Sequence, residues 1–147
     1  MKKEINKEEV KQVILVNSWI GDMPSGKVAA QVSHASMAFV VKQIQENVVN
    51  RDDYGTVSEV ALSNDIFNGW VNGSFAKLIL TVRSEDEMNQ VIERLNKNEM
   101  IENVDYFKIV DQGRTVFEGI ETWTCTGFIP MKQKDINRLF GSLPLFK

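Results

Sequence analysis

The alternation of strand-like and helix-like segments constrains the fold of this chain more than any other feature of its sequence. A short apolar run at residues 11–16 indicates a strand buried on both faces, and apolar residues then recur at helical spacing over about 26–45. The predicted order is β-α-β-α-β-β-α, with strands at about 11–16, 75–83, 104–110 and 122–128 and helices at about 26–45, 84–98 and 133–140. Strands that alternate with helices predict an α/β layered fold with a mostly parallel or mixed sheet.

Helix-start signals and one long connection refine this prediction. Ser25 is a candidate N-cap of the first helix, and Ser84 with Glu87 forms a capping-box pattern at the start of the second. The stretch 47–73 is too long for a simple loop. It has two alternatives, a short helix near residues 56–68 or a mobile segment.

Composition excludes several classes of protein. With 147 residues, 43% hydrophobic and 25% charged, the chain is typical of one globular domain over residues 1–147, and disorder, collagen and coiled coil are excluded. A single cysteine, Cys125, and a single histidine, His34, are too few for a disulfide scaffold or a structural zinc site. The sequence shows neither a signal peptide nor a long apolar run, so we expect a soluble, cytoplasmic protein with no membrane span.

Charge is unevenly distributed along the chain. Residues 84–105 hold seven acidic and two basic side chains, whereas residues 131–147 hold four basic and one acidic. The formal net charge of -3 excludes a generally basic nucleic-acid binder. The asymmetry has two readings, an anionic partner that approaches one side, or ordinary solvated helix faces.

The first strand-to-helix turn carries the clearest chemical signal. Gly21, Gly26 and Lys27 have the spacing of a phosphate-binding loop, and Asp111 ends a strand as the acid of a nucleotide hydrolase would. However, Val28 stands where the magnesium-binding Ser or Thr belongs, and the strands are too few for a nucleotide domain, so nucleotide hydrolysis is disfavoured. What remains is a lysine in the first turn of a helix, where the N–H groups and dipole favour an anion.

Three motifs in order resemble one family. Residues 26–35 resemble the G-K-x-A-A-Q-x-x-H-A signature of type II peptidyl-tRNA hydrolases, and Trp70 with Gly73 matches that family's W-x-x-G. Residues 111–115, D-Q-G-R-T, resemble its D-A-G-R-T motif, and Thr122 lies close to a threonine that follows about eight residues later. The resemblance extends from about residue 11 to 130.

The resemblance implies a three-layer α/β/α fold with a central four-stranded mixed sheet, and a homodimer. It also implies cleavage of the ester between a peptide and the terminal ribose of tRNA, without a metal or an organic cofactor. The implied catalytic residues are Lys27, Asp111, Thr115 and Thr122. We also predict substrate-binding roles for Gln31 and His34, which share a helix face with Lys27, and for Arg114 as a phosphate contact. We expect tRNA binding to be weak and salt-dependent, with contributions from Lys27, Arg114 and the basic tail formed by Lys132, Lys134 and Arg138.

The chemistry is also plausible from the residue types alone. Ester hydrolysis needs an oriented water, a base for its proton and donors for the oxyanion. Asp111 can orient or deprotonate water, and the ammonium of Lys27 can hold a phosphate or the oxyanion. Because parallel strands end at the same sheet edge, we expect Lys27 and Asp111 to lie close together there, where open α/β sheets bind ligands.

Each residue also has a structural interpretation. Lys27 could be an ordinary first-turn lysine, Asp111 could cap a turn, and His34 could be packed and hydrogen-bonded. Cys125 is most simply a small buried hydrophobe. Pro24 and Ser25 replace a family lysine, and the spacing to Thr122 is one residue short. These departures favour an alternative function, a family relative that binds or hydrolyses a different ligand, with or without tRNA hydrolase activity. The intact G-K and D-x-G-R-T motifs favour the hydrolase, which is the function we predict.

Overall fold

The computed structural model describes residues 9–113 and 119–147. The strands are β1 (Val10–Asn17), β2 (Val48–Asp52), β3 (Gly55–Ser58), β4 (Lys77–Val82), β5 (Tyr106–Asp111), β6 (Thr122–Phe128) and β7 (Met131–Lys132). The helices are α1 (Ser25–Glu46), α2 (Asn64–Ile66, continued by a π-helical stretch, Phe67–Ser74), α3 (Glu85–Lys97) and α4 (Gln133–Phe140), and a 3-10 turn, Ser18–Ile20, follows β1.

The main sheet is mixed and has the order β4-β1-β6-β5, with β7 paired to the beginning of β1. Strands β1 and β4 are parallel, and β6 runs antiparallel to both β1 and β5. Strands β1, β4 and β5 therefore end at one common edge. This confirms the α/β class with a mixed sheet. The two-residue strand β7 makes five strands where four were expected.

Alternate side chains of β1 pack into two different clusters because a strand presents successive residues to opposite faces. Val13 and Leu15 pack with residues of α3 and α4, whereas Ile14 and Val16 pack with Ala35 of α1. Helix α1 crosses β6 closely, since a Cβ added to Gly127 would lie 1.9 Å from the carbonyl oxygen of Ala35. A glycine at this position lets α1 approach the sheet and fixes where its first turn lies.

The long connection contains a short helix, Asn64–Ile66, within the predicted range of 56–68, but it also contains strands that the sequence did not predict. It contains a β-hairpin, β2–β3, in which one oxygen of Asp52 accepts the backbone N–H groups of Tyr54 and Gly55 at 2.8 and 3.1 Å. Such a side-chain turn favours a hairpin over the helix expected near residues 56–68. Helical structure begins only at Asn64.

The helix-start predictions have mixed outcomes. Ser84 accepts the N–H of Glu87 at 3.1 Å, as a capping box requires, but the Glu87 carboxylate binds the N–H of Arg83 instead of that of Ser84. The prediction of Ser25 as N-cap is wrong, because α1 begins at Ser25 and Pro24 occupies the cap position with no side-chain bond. Within the described residues, no helix has the length and apolarity needed to cross a membrane.

Candidate active site at the sheet edge

Lys27 and Asp111 form an ion pair at the edge where β1, β4 and β5 end. Lys27 lies in the first turn of α1, Asp111 is the last residue of β5, and the lysine Nζ contacts the carboxylate Oδ2. Their side chains are only 18% and 6% exposed, respectively. The two side chains that the sequence placed at one sheet edge are thus in direct contact, in a largely desolvated setting that strengthens their attraction.

The environment of Asp111 favours its ionised form. The hydrogen bond from Lys27 is the main factor that lowers the pKa of the Asp111 carboxyl, burial opposes it, and the N–H of Gly113 and the charge of Lys27 lower the pKa further. Gly113 donates to Oδ1 at 2.6 Å. Its φ of 76° belongs to the left-handed region, and an added Cβ would lie 2.5 Å from the backbone of Ile120. The glycine of the D-x-G pattern is therefore needed to bring this N–H to the carboxylate.

Gln31 and Thr124 extend the pair into a buried network. Gln31 lies one helical turn after Lys27 and donates from Nε2 to Oδ2 of Asp111 at 3.3 Å. The hydroxyl of Thr124, which is fully buried, donates to Oε1 of Gln31 at 2.6 Å and lies 3.2 Å from the carbonyl oxygen of Ile109. With its oxygen bound to a donor, the Gln31 amide must present its NH₂ group to the carboxylate. Thr124 thereby fixes the orientation of Gln31.

A β-bulge brings Thr124 into this network. Ile109 pairs with Cys125 and Val110 pairs with Trp123, so Thr124 has no opposite residue on β5. Regular alternation would place Thr124 and Cys125 on opposite faces, but a bulge turns an extra side chain toward its neighbour's face. Cys125 packs on the α1 side of the sheet, and Thr124 reaches Gln31 on that same side.

Sequence reasoning missed Thr124 as a site residue. In the resembling family, the second threonine follows the first by about eight residues. Thr122 is one residue short of that spacing from Thr115 and Thr124 is one residue long, so spacing alone could not choose between them. The periodicity of the strand gave no sign of the bulge.

The other predicted site residues have different positions. Thr122 is paired with Asp111 across the β5–β6 ladder, is partly exposed, and donates its hydroxyl to the carbonyl oxygen of Ile120 at 3.1 Å. Arg114 and Thr115 lie outside the described residues. His34 is exposed and lines a groove on the outer face of α1, where no described contact joins it to the Lys27–Asp111 pair.

Room for a ligand exists at the same sheet edge. A cavity of about 280 Å³ lies between the ends of β1 and β4 and the first turn of α1. Val28, the residue that follows Lys27, is one of the residues that line it. Its lining combines apolar side chains such as Met23 and Phe146 with the polar residues Ser18 and Asp22.

The described residues contain neither a reactive thiol nor a group of potential metal ligands. Burial raises the pKa of the Cys125 thiol to about 12, so the thiol stays neutral and is a poor nucleophile. Across residues 9–113 and 119–147, no three His, Cys, Asp or Glu side chains are grouped so that they could hold a metal ion. The described part of this site offers a cation, a carboxylate, an amide and hydroxyl groups.

Known proteins are similar to this chain in sequence or in fold. The family described as Peptidyl-tRNA hydrolase PTH2 matches residues 10–146. A peptidyl-tRNA hydrolase from Saccharolobus solfataricus is 33% identical over 92% of this chain and 98% of its own length, and one from Sulfolobus acidocaldarius is 29% identical over 92% and 99%. A solved structure of a protein of unknown function from Agrobacterium tumefaciens C58 has a TM-score of 0.50 at 10% identity, covers 95% of this chain and 98% of its own, and shows similarity of fold alone. The family match and these relatives show that the chain belongs to the peptidyl-tRNA hydrolase PTH2 family, a family of ester hydrolases.

Proposed function

We propose that this protein hydrolyses the ester between a peptide and the terminal ribose of tRNA, with Lys27 and Asp111 at the reacting centre. The observation that carries the proposal is their ion pair, which is held by Gln31 and Gly113 at the sheet edge. Family membership supports the reaction, and the contact between these two side chains supports their assignment to it.

Asp111 would act chiefly by orienting the attacking water. A carboxylate can accept about four hydrogen bonds, and Lys27, Gln31 and Gly113 supply three donors. Among the described residues, one acceptor position is left for an O–H of water. A general base works best when its pKa lies near the working pH, and the pKa of Asp111 is lowered instead. Asp111 is therefore better suited to holding water and stabilising charge than to strong proton abstraction.

Lys27 would stabilise the negative charge that develops on the ester carbonyl oxygen. Its side chain is 18% exposed, so water screens its charge less than it would that of a surface lysine. An N–H donor already held in place needs little rearrangement as the oxyanion forms, and removing one such donor typically costs about 10²–10³ in kcat.

The threonines and the substrate-binding residues complete the proposal. We assign Thr124 the task of positioning Gln31, and we retain Thr115 and Thr122 as catalytic candidates on the basis of the resemblance. Thr122 faces Asp111 across the strand pair, which supports its inclusion. Arg114, which follows Gly113 directly, remains a candidate for a phosphate contact, and His34 remains a weaker one because it is exposed on the outer face of α1.

Binding to tRNA is proposed to be weak, because few of the described residues around the site are basic. The basic tail contributes less than the sequence suggested, since Lys132 pairs with Val10 at the beginning of β1 and Lys27 lies beyond its end. Lys132 also contacts Asp65 at 3.5 Å, and Arg138 contacts Asp135 at 2.7 Å. We further propose a homodimer, as the resemblance implies, and a cytoplasmic location.

The experiment is release of the peptide from an N-acylated aminoacyl-tRNA by the purified protein. We expect turnover by the parent, and a loss of about 10² or more in kcat/KM for Lys27→Met, with Lys97→Met as the control. Lys97 is an exposed lysine on α3 that pairs with a neighbouring glutamate, Glu93, at 3.3 Å. Absence of turnover by the folded parent would favour the alternative, a relative that acts on another ligand.

A further inference from the structure

The cavity at the sheet edge has apolar walls and a more polar opening. Val16 at the end of β1 is buried, and Met23, Val28 and Phe146 are half-buried around it. Val16, Met23 and Phe146 also pack in one apolar cluster on the α1 side of the sheet. The lining residues that are exposed to solvent are Ser18, Gly21, Asp22 and Lys147. The apolar surface of the cavity therefore lies deeper than its charges.

The segment 144–146 holds one of these walls in place. The N–H of Thr81 donates to the carbonyl oxygen of Pro144 at 2.8 Å, and the N–H of Phe146 donates to that of Ile79 at 2.9 Å. The segment thereby extends the sheet along the outer edge of β4, with Leu145 opposite a residue of that strand. A wall that is already hydrogen-bonded loses little conformational entropy when a ligand contacts it.

The cavity adjoins the place where the ester would react. Lys27 and Val28 are consecutive residues of the first turn of α1, and consecutive residues of a helix point about 100° apart. Lys27 contacts Asp111, whereas Val28 lines the cavity. In an aminoacyl ester, the side chain begins two bonds from the carbonyl carbon. A carbonyl group held at Lys27 therefore brings that side chain next to the cavity.

We propose that this cavity binds the side chain of the amino acid that is esterified to tRNA, and that Met23 and Phe146 make it select apolar side chains. This inference rests on the proposed function. An apolar cavity of about 150 Å³ can hold benzene, so the cavity of about 280 Å³ has room for a phenyl ring. The charges in its lining, Asp22 and Lys147, are opposite and give no net attraction for phosphate, so the acyl half of the substrate fits better than the nucleotide half.

The test compares two stable substrate analogues, N-acetyl-phenylalanyl and N-acetyl-glycyl adenosine, in which a 3′-amide replaces the ester. We expect the parent to bind the phenylalanyl analogue at least about 10-fold more tightly in isothermal titration calorimetry, because only its side chain fills the cavity. Met23→Ala and Phe146→Ala should each lower this ratio at least about threefold, since each removes apolar contacts from one wall. Affinity for the glycyl analogue should stay unchanged, which also shows that the variants are folded.

Two matched controls lie outside the cavity. Met37→Ala truncates a methionine that is 54% exposed on the outer side of α1, and Leu145→Ala truncates a leucine that is 57% exposed beside Phe146. Both should leave the ratio of the two affinities as it is in the parent.

Three results would overturn the proposal. The first is a parent that binds both analogues equally, and the second is a parent that does not bind the phenylalanyl analogue at about 1 mM. The third is an equal loss of both analogues in Met23→Ala and Phe146→Ala, which would assign the cavity to the nucleoside. A parent that prefers the phenylalanyl analogue but releases no peptide from tRNA would refute the proposed function alone. Hydrolysis with equal kcat/KM for phenylalanyl and glycyl esters would refute only the role of the cavity.

Discussion

Replacing Asp111 by Asn should damage both stability and catalysis, although the two side chains have nearly the same shape. All three described partners of the carboxylate are donors, namely the ammonium of Lys27, the amide NH₂ of Gln31 and the N–H of Gly113. Asn offers one oxygen and one NH₂ group, so its NH₂ must face either Gly113 or the Lys27–Gln31 pair.

The magnitude follows from this mismatch. In either orientation, the NH₂ group that Asp111→Asn introduces would face a buried donor and leave it without an acceptor. This lowers the free energy of unfolding by about 1–3 kcal/mol. Loss of the charge that holds the water and balances Lys27 should lower kcat/KM by about 10²–10³. Lys27→Met removes one of the competing donors, so the double variant should recover at least about 1 kcal/mol relative to the sum of the single effects.

The measurements are urea unfolding of the parent, both single variants and the double variant, together with kcat and KM on peptidyl-tRNA. Glu102→Gln is a matched control, since it neutralises a partly exposed carboxylate that lies away from the site. This carboxylate contacts the Nζ of Lys108 at 3.4 Å. An Asp111→Asn protein as stable and as active as the parent would refute the reasoning, because the donors around the carboxylate would then have no energetic consequence.

Three further predictions address the network, its pH dependence and the role of the basic tail. Thr124→Val should lower kcat/KM about 10-fold by releasing the amide that Thr124 orients, whereas Thr124→Ser should retain most activity. Because the pKa of Asp111 is lowered on folding, its contribution to stability is complete above its unfolded value of about 4 and is lost as pH falls through the folded value. Urea unfolding should therefore show the Asp111→Asn deficit unchanged from pH 7 to about 5 and reduced only below about pH 4, and a deficit that disappears near neutral pH would contradict this. Lys27→Met should reduce the slope of the logarithm of the tRNA association constant against the logarithm of salt concentration by about one unit, while Lys132→Gln leaves the slope unchanged. An equal effect of both substitutions would indicate that the basic tail contacts the tRNA as Lys27 does.

Local sequence patterns were sufficient to predict four strands of the main sheet, the helices that pack on it and the two residues at its edge. Helical periodicity placed Lys27 in a first turn, and the strand predicted at about 104–110 put Asp111 at its end. Because strands β1, β4 and β5 run in one direction, their ends coincide, and this rule alone predicted that the two residues would meet. The resemblance to the family could be recognised from sequence for the same reason, because each motif consists of residues that are close together in the chain.

Only the tertiary structure decided the features that depend on pairing between distant segments. The bulge at Thr124 arises where β6 pairs with β5, and a period-two pattern in one strand contains no information about an extra residue. The close crossing at Gly127 and the position of Lys132 at the far end of β1 likewise depend on which elements become neighbours. Sequence therefore determined four strands of the main sheet, the helices that pack on it and the edge that carries the chemistry. Packing determined which threonine reaches Gln31, because hydrogen bonds between distant segments form only after the chain has brought them together.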